Sequence, residues 1–282
     1  MKIISFFLFF LTFTVQSVLA DSPTMITGRL VDTSQQPVLY ASIGIVNTPV
    51  GTIADDQGRF TLYITDKVED TDTVVISLIG YHTVALTVAQ LAARTSGNPQ
   101  IVMMGMVREL NEVRVDARNS RVKTLGKTGY KTSMVTNFAL SELPRQNLGS
   151  EIGRKFNVSS GTNWLESFHF YMITNYDSVM FRLNVYQAKT MQNLLTKNVY
   201  IRVAGKSRQW VSVDLRPYQL MVSDDVVVSV QWIDSIGKGT ALQMPLQLPA
   251  TATHYYRYGS QDRWKRFRGM TTSMNLTFIH SR

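Results

Sequence analysis

Between Met25 and Asp116 short apolar runs alternate with polar positions at a period of two. Phe60, Leu62 and Ile64 fall on one face of such a run, and Arg59, Thr61 and Tyr63 fall on the other. That spacing predicts a strand with one side buried. The same reading predicts strands over 25–32, 41–47, 52–54, 58–64, 73–79, 83–88, 101–104 and 112–116. Gln35-Gln36-Pro37 and Asp55-Asp56-Gln57-Gly58 supply turns between them, the glycine serving a positive φ. Only Val88 to Arg94 reads as a helical turn.

From Asn119 to about Ser150 the alternation weakens. This stretch is basic, carries Gly126, Gly129, Pro144 and Gly149, and reads as a linker with a short helix near Leu140. Alternation returns after Trp164. Phe168, Phe170 and Met172 share a face, and so do Val179, Phe181, Leu183 and Val185, with Arg182, Asn184 and Tyr186 opposite. Further runs follow around Val199–Val203, Val211–Leu215, Val226–Trp232, Leu242–Met244 and Met274–Phe278. Seven or eight strands without a long helix predict a two-sheet sandwich. The fold expected is all-β, with a smaller sandwich followed by a larger one. The expected division is 1–20 leader, 21–118 first domain, 119–147 basic linker and 148–282 second domain.

The leader reading rests on Met1–Ala20. Lys2 precedes a nearly continuous apolar run, Ile3 to Val15, and Val18 and Ala20 occupy the small positions before a cut. The expectation is a cleaved signal peptide and an exported chain of 262 residues in the periplasm, at the outer membrane or on the cell surface. A retained anchor is the alternative. The 282 residues hold no cysteine, which excludes disulfides, thiolate zinc sites and a lipidated cysteine after the cut. The net charge of +9 is an uneven sum: residues 21–118 carry −4 and residues 119–282 carry +12. An acidic partner would therefore meet the second half.

A search for catalytic chemistry finds little. His82, His169, His254 and His280 have no acidic residue at metallopeptidase spacing, so neither a zinc site nor any cofactor is expected. There is no G-x-S-x-G elbow. Gly237-Lys238-Gly239-Thr240 lacks the preceding glycine of a phosphate loop. Glu166, Asp177, Asp214 and Asp262 cannot be paired from sequence. Asp224-Asp225 reads as the turn leading into a strand, with a calcium site as the alternative.

Several motifs carry a family resemblance. They are Ile26-Thr27-Gly28-Arg29-Leu30-Val31-Asp32, Gln36-Pro37-Val38, Ala41-Ser42-Ile43, Gly51-Thr52, Asp55-Asp56-Gln57-Gly58-Arg59-Phe60, Ile79-Gly80-Tyr81 and Leu110-Asn111-Glu112-Val113-Arg114-Val115. Together they resemble the carboxypeptidase regulatory-like domain, a transthyretin-like β-sandwich. The resemblance implies a fold and an envelope compartment, since such domains often precede outer-membrane receptor barrels or secreted modules. It implies no catalysis. The second block, through Gly149–Gly153, Tyr176–Tyr186, Trp210–Leu215, Val228–Ile233 and Tyr255-Tyr256-Arg257, is similar to the companion domain of a family of exported proteins. By analogy its strand count suits a jelly-roll-like sandwich.

What remains is an aromatic and cationic segment, His254-Tyr255-Tyr256-Arg257-Tyr258 running on to Arg263-Trp264-Lys265-Arg266-Phe267-Arg268. Aromatic faces stack on sugar rings, and arginines pair with carboxylate or phosphate. Tyr255, Tyr256, Arg257, Trp264 and Arg266 are the candidate ligand residues. The competing reading is plain strand formers on a charged edge, with Trp232 in the core. The function expected is a non-catalytic exported interaction or carbohydrate-binding module. Its partner would be an anionic envelope glycan or an outer-membrane protein, with peripheral membrane association and no nucleic acid. The alternatives are a structural spacer or docking module for an outer-membrane machine, and a hydrolase accessory or a glycan or peptide hydrolase with an unrecognised carboxylate site.

Overall fold

The computed structural model describes residues 24–106, 120–126, 129–138, 147–250 and 252–281. The leader, the strand expected over 112–116 and the helix expected near Leu140 lie outside the described residues. The described residues are 53% strand and 6% helix, in several sheets, with no barrel among them.

The first domain packs two sheets face to face. One orders Arg59–Ile64, Thr24–Val31 and Gln100–Val102, the last pairing in parallel. The other orders Gly51–Ile53, Ser42–Ile45, Thr73–Ser77 and Val84–Thr87, all antiparallel. Inward positions of both, among them Leu30, Ile43, Phe60, Leu62 and Ile76, form one apolar core. The helical hint at Val88 is the helix Val88–Gly97, longer than expected. Thr87 and Gln90 close a reciprocal capping box at its start, and Val88 and Leu91 face the core. In the turn before Arg59, Asp55 accepts the N–H groups of Gln57 and Arg59, each at 2.8 Å. Gly58 sits at φ +72°, where a β-carbon would lie 2.4 Å from the Leu30 carbonyl oxygen.

The second domain is a larger two-sheet β-sandwich, as the alternation predicts. Its six-stranded sheet orders Val199–Ala204, Ser178–Gln187, Val226–Ile236, Glu151–Phe156, His254–Arg257 and Lys265–Phe267. The opposing sheet is built on Thr162–Thr174, paired with Met274–Ser281, Ser207–Asp214 and Leu242–Gln247. Phe168, Phe170, Phe181, Trp232 and Phe278 fill the space between, which places Trp232 in the core. The stretch expected as linker contributes strands here: Arg121–Gly126 pairs with Met274–Ser281, and Val135–Asn137 pairs with Leu242–Gln247.

The two domains meet directly. Ser42 and Gly44 turn away from the first core and face the second domain, so the strand Ser42–Ile45 is buried on both sides. Ile53 packs with Met180 and Ile233, and Tyr40 meets Tyr200 edge to face at 5.4 Å. The Ser260 hydroxyl donates to the Ile43 carbonyl at 3.2 Å, and Asn198 Nδ2 donates to the Ile79 carbonyl at 3.1 Å. The Asn47 N–H donates to the Gln261 carbonyl at 3.0 Å.

Candidate functional site: a polar pocket between the domains

The side of the six-stranded sheet that faces away from its own core carries a polar row. Strand alternation puts Arg182, Asn184 and Tyr186 there, and cross-strand register sets Gln231 beside Arg182, Ser229 beside Asn184, and Glu151 beside both Gln231 and Arg257. On an open sheet these side chains would meet water. Here the first domain lies over them, and a pocket of about 340 Å³ remains between the two. Its floor is Arg182, Asn184, Tyr186, Gln231 and Arg257. Its roof is the first-domain turn 78–81 with Ser42, Ser77 and Thr83. Gly80, at φ +93°, makes that turn, and Gly80 O and His82 N bond to Met106 N and Met104 O, which hold the turn in place.

Glu151 is fully buried at the side of this floor. Asn184 Nδ2 donates to its Oε1 at 2.8 Å, the Tyr186 hydroxyl at 3.1 Å, and the Ser229 hydroxyl donates to the same oxygen. Arg257 donates to Oε2 through Nε at 2.9 Å and Nη2 at 2.6 Å. Burial works against the Arg257 charge, but Glu151, Tyr186 and Asp262 together outweigh it and hold the guanidinium above its ordinary pKa. The Tyr186 hydroxyl is pushed far above its ordinary range, first by burial and then by the adjacent Glu151 charge, so it stays a donor.

Arg182 has a different environment. Its Nε donates to Gln231 Oε1 at 3.0 Å and its Nη1 to the Tyr40 carbonyl at 3.1 Å, while Nη2 reaches Gln231 and the Ser42 hydroxyl. All these acceptors are neutral. Burial pulls its pKa downward, with Tyr200, Tyr186 and Glu151 opposing. Gln231 is itself fixed by donating to the Gly149 carbonyl at 3.0 Å, so the floor is a connected network.

Of the residues expected from sequence, Arg257 alone lines this pocket. Trp264 supports it from behind: the Arg257 guanidinium lies 4.7 Å from its ring centroid, and Tyr186 and Tyr255 meet it edge to face. Tyr255 is buried against Tyr186 and Val227. Tyr256 points to the other side of the strand, against the sandwich core and stacked on His254. Arg266 lies over the Tyr255 ring at 5.5 Å. Tyr255 and Arg266 line a second, larger cleft of about 490 Å³. The lysines of that cleft are neutralised locally: Lys155 pairs with Asp225 at 2.7 Å and Lys189 with Asp224 at 3.7 Å. Those two aspartates precede the strand Val226–Ile236, as the turn reading expects. Among the described residues no three His, Asp or Glu side chains converge as a metal would require.

The residues that sequence reasoning passed over are Arg182, Asn184, Glu151 and Gln231. Their signal is polar side chains set at alternate positions within otherwise apolar runs, as in Val226-Val227-Val228-Ser229-Val230-Gln231-Trp232. That pattern reads as a solvated face until the covering domain is in place.

Residues 26–115 match the model of the CarboxypepD_reg-like domain. This part of the chain is a CarboxypepD_reg-like β-sandwich. Gly80 and Tyr81 of the CarboxypepD_reg-like domain line the pocket roof. No curated protein matches the chain. Among solved structures, a clostridial cysteine protease, Cwp84 after propeptide cleavage, is 8% identical, with a TM-score of 0.38 over 94% of this chain and 74% of that one. The cysteine protease and lectin-like domains of Cwp84, a surface-layer-associated protein of Clostridium difficile, are 7% identical, with a TM-score of 0.35 over 86% of this chain and 59% of that one. The infectious bursal disease virus Gx strain is 8% identical, with a TM-score of 0.28 over 90% of this chain and 62% of that one. Nothing about this chain's ligand follows from likeness at that level.

Proposed function

We propose that this chain is a non-catalytic glycan-binding module of the cell envelope, and that its ligand seat is the pocket between the CarboxypepD_reg-like domain and the larger sandwich. The observation that carries the reading is the pocket itself: a pre-ordered floor of Arg, Asn, Gln and Tyr side chains, closed by a roof from the other domain. Small-ligand sites are concave and carry a few fixed polar groups that orient the ligand, and this pocket is concave with such groups on its floor. Glu151 supports the non-catalytic side of the reading. Both its oxygens are occupied by Arg257, Asn184, Tyr186 and Ser229, and no acidic side chain lines the pocket among the described residues. The envelope location rests on the Lys2 and Ile3–Val15 leader pattern together with the domain family.

The test is a screen of the purified chain against glycans and isolated envelope fractions, run beside Thr83→Trp. Thr83 is an exposed rim residue, so the substitution fills the mouth without touching the core. Binding should fall about tenfold or more in the variant, since a bulky ring there excludes the ligand. Retention of every envelope glycan at unchanged affinity by Thr83→Trp would overturn the pocket as the seat.

A further inference from the structure

Two guanidinium groups, Arg182 and Arg257, line the floor of the pocket. Arg257 is matched by Glu151 at 2.6 Å. Arg182 is 5% exposed, lines the same cavity and makes all its described hydrogen bonds to neutral oxygens. No acidic side chain lines the pocket among the described residues. A buried guanidinium without a counter-ion is costly, and an anion entering the cavity would relieve that cost.

We infer, resting on the glycan-binding reading above, that the pocket takes an acidic sugar and seats its ring carboxylate between Arg182 and Arg257. Arg182 has no ion pair among the described residues, and the single charge of a carboxylate would supply one where a phosphate monoester would bring more. Guanidinium edges match the planar carboxylate in shape. Arg257 uses Nε and Nη2 on Glu151 and makes no described hydrogen bond through Nη1, so it can offer that edge to the carboxylate, while Arg182, held by Gln231, Tyr40, Ser42 and Tyr200, contributes its charge. Around the arginines stand hydroxyl and amide groups, Ser77, Asn193 and Gln261 among them, with Ile79, Met191 and Leu195 offering apolar surface. That mixture fits the hydroxyls and C–H faces of a sugar ring. A peptide adding as a strand would need open sheet backbone to pair with. Arg182, Gln231 and Glu151 come from interior strands whose ladders are already filled on both sides. The volume of about 340 Å³ is at the small end for a ligand site and suits one or two sugar units of a longer chain.

The experiment is a calorimetric titration of the full chain with D-glucuronic, D-galacturonic and N-acetylneuraminic acids and their short oligomers. Glucose, galactose and inorganic sulfate serve as the contrasting ligands. At least one acidic sugar should bind, with its neutral counterpart about tenfold weaker or more and with affinity falling as salt rises. Arg182→Gln should weaken that binding about thirtyfold or more, and Arg182→Lys, which keeps the charge but loses the fork, should fall between. The lysine variant guards against a loss that is only misfolding, and circular dichroism of each variant checks the sheet content. Equal binding of acidic and neutral sugars, both abolished by Thr83→Trp, would overturn the acidic-sugar inference and leave the pocket standing. Sulfate binding as tightly as the acidic sugars would also overturn it. Acidic-sugar binding indifferent to both Thr83→Trp and Arg182→Lys would overturn the pocket itself. Absence of binding by every acid and oligomer would overturn the inference.

Discussion

Glu151 is the residue on which the pocket floor depends. It is buried with Arg257, and its carboxylate gathers donors from three neighbouring strands. Replacing it by Gln keeps the shape and removes the charge, which leaves Arg257 buried without its partner. Glu151→Gln should cost about 3 kcal/mol of stability. Urea denaturation of the two proteins side by side checks the figure, and a midpoint unchanged from wild type would mean that the pair is energetically idle. The sequence places Arg182, Asn184 and Tyr186 on a common face but does not say that the face is covered. Their chemistry was therefore legible as a row and illegible as a site. Tyr256 does not reach the pocket for a related reason: its neighbours Tyr255 and Arg257 turn to the pocket side of the strand, so it turns to the other.

At the scale of elements, alternation is the dependable signal. The strands Arg59–Ile64, Ser178–Gln187 and Val226–Ile236 appear where a period of two predicts them, because one side of each meets an apolar core. Arg121–Gly126 escaped because it is a largely exposed edge strand whose partner, Met274–Ser281, lies some 150 residues away. The strand His254–Arg257 carries a consequence of its own. His254 is 4% exposed, faces Arg154 across the ladder, and is pushed by burial down to about 4. The folded protein thus keeps this ring neutral where the unfolded chain protonates it. The associated stability is fully present above about pH 6.5 and is lost as pH falls toward 4, by about 2 kcal/mol between pH 6.5 and 5. His254→Phe should flatten that part of the stability-against-pH curve. Unfolding free energies of both proteins across this range measure it, and parallel curves would contradict it.

For the whole molecule, the decisive feature is that two sandwiches share a face. The contact is close enough that Gly259 admits no side chain: a β-carbon there would lie 2.7 Å from the Pro49 carbonyl oxygen. Backbone cannot move aside as a flexible side chain can, so Gly259→Ala should loosen the docking while each sandwich keeps its own core. The expected result is faster amide exchange in Ser42–Ile45 and in the roof turn, with the interior strand Val226–Ile236 unchanged. Exchange that stays slow in both regions would show that the domains dock without this approach. The same variant should weaken glycan binding, because the seat has one wall from each domain. The acidic first half and basic second half are complementary in sign, and this charge division was readable from the chain alone.

The sequence by itself determined the fold class, the family of the first domain and the strands that bury one side. Each of these depends on local periodicity, turn chemistry and short motifs that neighbouring residues spell out. It also showed the even spacing of Arg182, Asn184 and Tyr186. Only the tertiary structure decided that this polar row is roofed, that Glu151 neutralises Arg257 and leaves Arg182 unmatched, and that Trp264 braces the pair from behind. Those facts join residues more than a hundred positions apart, Ser42 with Arg182 and Glu151 with Arg257. Burial of a charge is a property of everything packed around it, and no window along the chain contains that surrounding.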